Sequence, residues 1–281
     1  MTAVRSWIDG RPGAPLPLSD RGLAYGDGLF ETIRVVDGRA DLLPLHRQRL
    51  LRDCIRLDIA LDMARLDTEI AAALAAGDSG VLKVIVTRES QRRGYMPGRA
   101  ARGRRLLLFY PQPIAAFAAT APLRLRLCRQ RLSLQPALAG IKHLNRLEQV
   151  MARGEWSDPA VHEGLLLDST GSLIEATAAN LFLVSDGELL TAKLDRCGVA
   201  GVMRELVMMR LAPAAKLRVR EVRLSLDDLY AADEAFLTSS MLGIAPIARL
   251  DCLSVRSGGV TIALRSQLDA FDPDVLHAAT C

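Results

Sequence analysis

Residues 164–191 read Gly164-Leu-Leu-Leu-Asp-Ser-Thr-Gly-Ser-Leu-Ile-Glu-Ala-Thr-Ala-Ala-Asn-Leu-Phe-Leu-Val-Ser-Asp-Gly-Glu-Leu-Leu-Thr191. Short apolar runs at 164–168, 173–176, 180–184 and 188–191 are separated by Ser169-Thr170-Gly171, a small-residue step and Asp186-Gly187. Parallel neighbours need crossover connections of about a dozen residues or more, and these gaps are far shorter. The spacing predicts an antiparallel meander and argues against a doubly wound parallel sheet.

Downstream, the pattern predicts a helix over 202–211, strands near 219–224 and 235–238, and a closing helix near 261–270. Upstream, Leu123 to Cys128 alternates apolar residues with Arg, as a half-exposed strand does, and 144–153 has helical spacing. Pro111-Gln-Pro113 followed by Ile-Ala-Ala-Phe-Ala-Ala-Thr120 breaks the pattern, so a boundary is placed there. Before it, Thr32–Val36 and Ala40–Leu43 flank an Asp37-Gly38 turn. Leu45, Leu50, Leu51, Cys54 and Ile55 recur at helical spacing, a second helix spans 66–76, and strands cover 81–87 and 105–110 around a polar loop, 89–102. The expected fold class is α/β of the α+β type. A small N-terminal α/β domain covers 1–113, a linker 114–121, and a larger C-terminal domain with an antiparallel-rich sheet or pseudo-barrel 122–281.

Composition narrows the function. The 281 residues carry 36 basic and 32 acidic side chains with no Lys/Arg run, which does not point to nucleic acid. The N-terminal residues lack the apolar stretch of a signal peptide, and no apolar run approaches the roughly 20 residues of a membrane span. Five dispersed cysteines without a CxxC fit a reduced cytoplasm better than disulfides or zinc. There is no GxGxxG, GxxxxGK[ST] or GxSxG, and the four histidines show no metal-ligand spacing, so no metal is expected. Arg greatly outnumbers Lys, the only lysines being Lys83, Lys142, Lys193 and Lys216. Codon bias accounts for this on a surface. Arg cannot replace Lys where an amine must lose its proton and attack a carbonyl.

Three segments carry the chemistry. Ser19–Arg34 packs three glycines within seven residues among apolar neighbours. Gly140-Ile-Lys-His-Leu-Asn-Arg-Leu-Glu-Gln-Val150 sets a lysine at the start of an amphipathic helix. In Leu173–Leu183 a glutamate interrupts an apolar strand. Read singly, these are a tight loop entering a strand, a surface lysine and a solvent-facing glutamate. Together and in this order they resemble the pyridoxal-phosphate enzymes of fold type IV, which include branched-chain and D-amino acid aminotransferases and aminodeoxychorismate lyases. The resemblance covers nearly the whole chain, from Asp20 to Pro246.

That resemblance implies pyridoxal 5'-phosphate as cofactor and a homodimer as the working assembly. Lys142 would be the lysine that condenses with the cofactor aldehyde and then acts as general base. Glu175 would face the pyridine nitrogen, with Asn180 supporting it. Arg49, in His46-Arg-Gln-Arg-Leu50, matches a phosphate-binding position. The backbone N–H groups of Val202 and Met203, after Gly198-Val-Ala-Gly201, would hold the phosphate at a helix N-terminus. Ser240 falls where relatives carry a hydroxyl. Asp27-Gly-Leu-Phe-Glu-Thr-Ile-Arg34 and the lysine segment resemble the lyase branch, which implies conversion of aminodeoxychorismate to 4-aminobenzoate and pyruvate. There Thr32 would donate the leaving group's proton; its other reading is a β-branched residue favouring a strand. Arg93 and Tyr95 are candidates for the substrate's carboxylates, or parts of a solvated basic loop. An aminotransferase on the same scaffold, branched-chain or D-amino acid, is the nearest alternative. A cofactor-handling protein without turnover is a more distant one.

Overall fold

A computed structural model describes residues 3–89, 93–97, 101–113, 121–256 and 258–272. Contacts within the chain gather it into two compact units. The first holds the described residues of Met1–Ala118 together with Lys142–Asn145, and the second Ala119–Ile141 together with Arg146–Asp272. The expected linker lies outside the described residues apart from Ala121.

The first unit consists of β1 (Arg5–Ile8), β2 (Arg11–Pro12), α1 (Arg21–Tyr25), β3 (Gly28–Val36), β4 (Arg39–Ala40), α2 (Leu43–Arg56), β5 (Ile59–Ala60), α3 (Met63–Leu74), β6 (Gly80–Arg88) and β7 (Ala101–Pro111). Its sheet runs β2-β1-β7-β6-β3-β4, with β5 beside β7. Strict alternation on β3 buries Leu29, Ile33 and Val35 and leaves Phe30, Thr32 and Arg34 on the other face. Helix α2 lies on β3 and α3 on β7, burying Leu50, Cys54, Leu66 and Ile70. The second hairpin strand is shorter than the expected 40–43. Leu42 turns into the left-handed region, and Pro44 opens α2 at its first turn.

The second unit consists of β8 (Leu123–Leu132), α4 (Leu147–Arg153), β9 (Glu163–Asp168), β10 (Leu173–Ala176), β11 (Asn180–Ser185), β12 (Glu188–Ala192), α5 (Val202–Leu206), α6 (Ala212–Ala214), β13 (Val219–Val222), α7 (Leu226–Ala231), β14 (Glu234–Ser239), β15 (Gly243–Leu250), β16 (Leu253–Ser254) and α8 (Gly259–Asp269). Strands β10-β9-β8-β15-β14-β11 form a ring that closes where β10 pairs β11. Leu125, Leu165, Leu181, Leu183, Leu237 and Ile247 share one buried cluster. On the opposite side of β11 and β14, Phe182 stacks on Phe236 with ring centroids 5.1 Å apart.

The short-loop strands β9 to β12 pair antiparallel, as their spacing requires. The sheet as a whole is mixed, because β8 runs parallel to both β9 and β15, and β13 parallel to β12. Residues 133–162, between β8 and β9, are long enough for such a crossover. Two helices also depart from expectation. The one over 144–153 starts only at Leu147, because 142–145 fold with β3. The one over 202–211 widens into a π-turn, Val207–Leu211. Pro213 follows it, and its missing N–H and ring clash disrupt the regular ladder just upstream.

Phe236→Ala removes half of the buried aromatic stack and should cost about 3–5 kcal/mol, read as a lower urea midpoint with an unchanged slope.

Candidate active site

In the first unit, Lys142 lies against β3. The Phe30 N–H donates to the Lys142 carbonyl at 3.1 Å, and the Leu144 N–H donates to the Gly28 carbonyl at 3.0 Å. The Asn145 side chain adds a hydrogen bond to the Gly26 carbonyl. Residues 142–145 thus extend the edge of the sheet beside β3. The Lys142 ammonium sits 4.4 Å from the centroid of the Phe30 ring, well placed for a cation–π contact. Phe30 and Thr32 are two residues apart on one strand and share its face. Lys83, opposite Thr32 on β6, also reaches the Phe30 ring, at 5.3 Å. Lys142, Phe30, Thr32 and Lys83 therefore gather on one face of the sheet. Lys193, paired with Asp195, and Lys216 are exposed.

The opposite face of β3 carries a residue that sequence reasoning passed over. Glu31 is 2% exposed. It accepts from Arg49 Nε at 2.8 Å, from Arg49 Nη2 and from His46 Nδ1 at 2.6 Å. Burial by itself would raise the Glu31 carboxyl, but the charge and hydrogen bonds of Arg49 and His46 outweigh it and hold Glu31 at about 2. Burial lowers His46, more than the Glu31 carboxylate can offset. Period-two alternation was the available signal, since it puts Glu31 with Leu29 and Ile33. Arg49 is thereby oriented by two bonds to one carboxylate.

The glycine-rich entry to β3 is fixed by charge. Asp20 caps α1 and accepts from Thr87 and Arg104. Asp27 accepts from Arg21 at 2.7 Å and from Arg88 at 2.9 Å. Arg21 also donates to the carbonyls of Gly94 and Tyr95. Tyr95 packs its ring near Tyr25, with centroids 5.4 Å apart, but is 85% exposed, and Arg93 beside it is exposed as well.

In the second unit, Glu175 occupies the seam of the ring. A bulge between Leu173 and Glu175 shifts the β10–β9 register, so that Glu175 pairs with Leu166. Leu173 belongs to the cluster of Leu165 and Leu181, whereas Leu166 belongs to a separate cluster with Cys197. The bulge thus turns Glu175 away from the barrel cluster, yet it stays 4% exposed. Its Oε2 accepts from the Val199 N–H at 2.8 Å and from Asn180 Nδ2 at 3.4 Å, and Asn180 Nδ2 also donates to the Val199 carbonyl. Asn180 faces Glu175 across the closing pair.

Gly201 precedes α5, and no Gly201 side chain exists to cap the first turn at Val202 and Met203. Arg204 anchors that turn, donating to the Ala192 carbonyl and pairing with Glu221 at 3.0 Å. Ser240 lies in the turn after β14. These residues fit a phosphorylated pyridine. A Cβ at Gly201 would fall 2.1 Å from Asn180 Oδ1, so the backbone must stay bare there. Thr238, the β14 partner of Asn180, has a buried hydroxyl with no hydrogen-bond partner among the described residues. A helix start and a buried acid supply the complementary charges.

Glu31 ties acid stability to the first half of this arrangement. Because its folded value lies near 2 against an ordinary 4.5, its contribution is complete above the ordinary value. It is lost as pH falls toward 2, on the order of 3 kcal/mol. Glu31→Gln should therefore be less stable at neutral pH, and its urea midpoint should fall less on acidification than that of the parent chain.

The chain matches the model of the amino-transferase class IV family over residues 28–250. It is 34% identical to the aminodeoxychorismate lyase of Vibrio harveyi over 245 residues, 86% of this chain and 90% of that one. The crystal structure of 4-amino-4-deoxychorismate lyase from Pseudomonas aeruginosa superposes with a TM-score of 0.89 at 47% identity, covering 94% of this chain and 98% of the other. The branched-chain aminotransferase of Thermoproteus uzoniensis shares the fold at 22% identity with a TM-score of 0.82, covering 94% and 93%. Another solved branched-chain aminotransferase of this fold, also 22% identical, contains pyridoxamine 5'-phosphate. A match across most of the chain, joined to a lysine on the β3 face and a buried acid at the barrel seam, places it in the amino-transferase class IV family.

Proposed function

We propose that this chain is a pyridoxal-phosphate-dependent lyase that converts 4-amino-4-deoxychorismate to 4-aminobenzoate and pyruvate. The observation that carries the reading is the 47% identity to the Pseudomonas aeruginosa lyase over nearly the full length of both chains. The position of Thr32, on the strand face that also bears Phe30 beneath the Lys142 amine, supports it.

The cofactor, once bound, supplies an electron sink for the C–H bond that breaks. The rest falls to the chain. Lys142 holds the cofactor and then takes the proton from the amine-bearing carbon of the substrate through its neutral Nζ. Glu175 keeps a proton on the ring nitrogen, and Asn180 with the Val199 N–H holds the carboxylate in place. Arg49 and the N–H groups of Val202 and Met203 bind the phosphate, with Ser240 beside them. Thr32 gives its hydroxyl proton to the departing ether oxygen, which leaves as pyruvate while the six-membered ring becomes aromatic. Lys83, opposite Thr32, offers a cation to the dicarboxylate substrate, and Arg93 and Tyr95 are further candidates. An aminotransferase would share the cofactor residues and return the proton to the cofactor carbon.

Leu147, Val150 and Met151 expose one apolar stripe of α4, the kind of face a second copy would cover. A homodimer working in the cytoplasm completes the reading, and buried thiols at Cys54, Cys128 and Cys197 suit a reducing compartment. No helix among the described residues is long and apolar enough to cross a membrane.

With purified protein, pyridoxal phosphate and aminodeoxychorismate, 4-aminobenzoate and pyruvate should form in equal amounts. Lys142→Ala should abolish both, and Thr32→Val should lower kcat by about 10²-fold or more. Ketoacid formation from amino acids, with no pyruvate from aminodeoxychorismate, would instead make the chain an aminotransferase. Light scattering should give twice the chain mass, and Val150→Glu should shift it toward the monomer.

A further inference from the structure

Helix α2 carries a buried polar stripe, His46, Arg49 and Asp53, at spacings of three and four, where an ordinary amphipathic helix would bury only apolar side chains. Glu31 accounts for the first two. Asp53 makes no bond to Glu31 in the structure and is as deeply buried, at 1% exposure. Its Oδ2 accepts from the Lys142 backbone N–H at 3.2 Å, and its Oδ1 from Arg52 Nε at 3.0 Å.

The bond to Lys142 falls where the β-type pairing of this segment stops. Phe30 and Leu144 make the two ladder bonds around the Leu29–His143 bridge. The next rung would use the Lys142 N–H, but that group turns to Asp53 instead. The Lys142 peptides are thereby tied on two sides, the carbonyl to β3 and the N–H to α2. The side chain lies over the Phe30 ring. A buried carboxylate is costly, and an apolar residue of similar volume would serve packing as well.

We infer that Asp53 is a positioning residue for Lys142: it fixes the main chain from which the reactive side chain springs, so that the amine returns to one place in each turnover. This rests on Lys142 being the cofactor-binding lysine. Displacing a reacting group by about 1 Å can cost up to about 10²-fold in rate.

The test uses the holoenzyme. Asp53→Ala should lower kcat about tenfold with little change in KM, and should move the pH titration of the bound cofactor's visible absorbance. Asp53→Asn, which keeps a carbonyl acceptor, should recover most of both. Ile70→Ala, in the core under α3, serves as a destabilised control whose holoenzyme kcat and titration should match the parent chain. If Asp53→Ala does not fold, Asp53→Leu fills the same buried space and carries the comparison. Parental kcat and titration in the Asp53 variants would overturn the inference. Borohydride reduction followed by peptide mapping separates the two levels. A cofactor fixed to Lys142 beside parental Asp53 variants defeats the inference alone, while a cofactor fixed to another residue defeats it together with the reading of Lys142.

Discussion

The second unit depends on one backbone pairing. Six strands can form a ring only if the last finds the first, and here β10 and β11 meet through the single register pair Glu175 and Asn180. A ring without that pairing would expose strand edges on both sides of the gap. The bulge before Glu175 makes the closing residue polar without placing an acid among Leu165, Leu181 and Leu237. Ring closure and a buried carboxylate thus share one position. The carboxylate is held by the Val199 N–H and by Asn180, and the loop through Gly198 to Gly201 then enters α5. The seam thereby holds the direction of the Glu175 side chain.

The first unit solves a related problem with buried ions. Glu31, His46 and Arg49 are each at most 3% exposed, so each would be expensive alone. They are tolerable because one carboxylate answers a fork and a ring at once. The arrangement sits on the face of β3 that turns toward α2, while Phe30 and Thr32 occupy the other face beneath the Lys142 amine. One strand therefore separates a buried polar cluster from the face that carries Phe30 and Thr32 by nothing more than its pleat.

Much of this was legible in the chain. The meander over 164–191 and the helices after Leu45 and Leu66 follow from periodicity and turn residues, whereas Lys142 and Glu175, read singly a surface lysine and a solvent-facing glutamate, were singled out by the family resemblance of three ordered segments. The parallel partners of β8 were not legible, because no local pattern states which distant strand a half-exposed one will join. Glu31 was within reach of the alternation rule. Asp53 and Lys83 were not. Asp53 meets Lys142 across 89 positions, and Lys83 gains its meaning only from a register that sets it opposite Thr32. The π-turn at 207–211 required weighing the effect of Pro213 on the residues before it. The roles proposed for Arg49 and Ser240 came from family resemblance, because spacing by itself leaves those residues anonymous.

The distribution of lysine has a practical side. Lys193 and Lys216 are exposed at the surface, whereas Lys83 and Lys142 are half-buried around one aromatic ring. A surface clothed in guanidinium groups is almost inert toward reagents that acylate amines. Apart from the α-amino group, half of the molecule's primary amines lie at the ring of Phe30. Differential labelling of the four lysines would read the occupancy of that face directly from the intact protein, with little background from elsewhere.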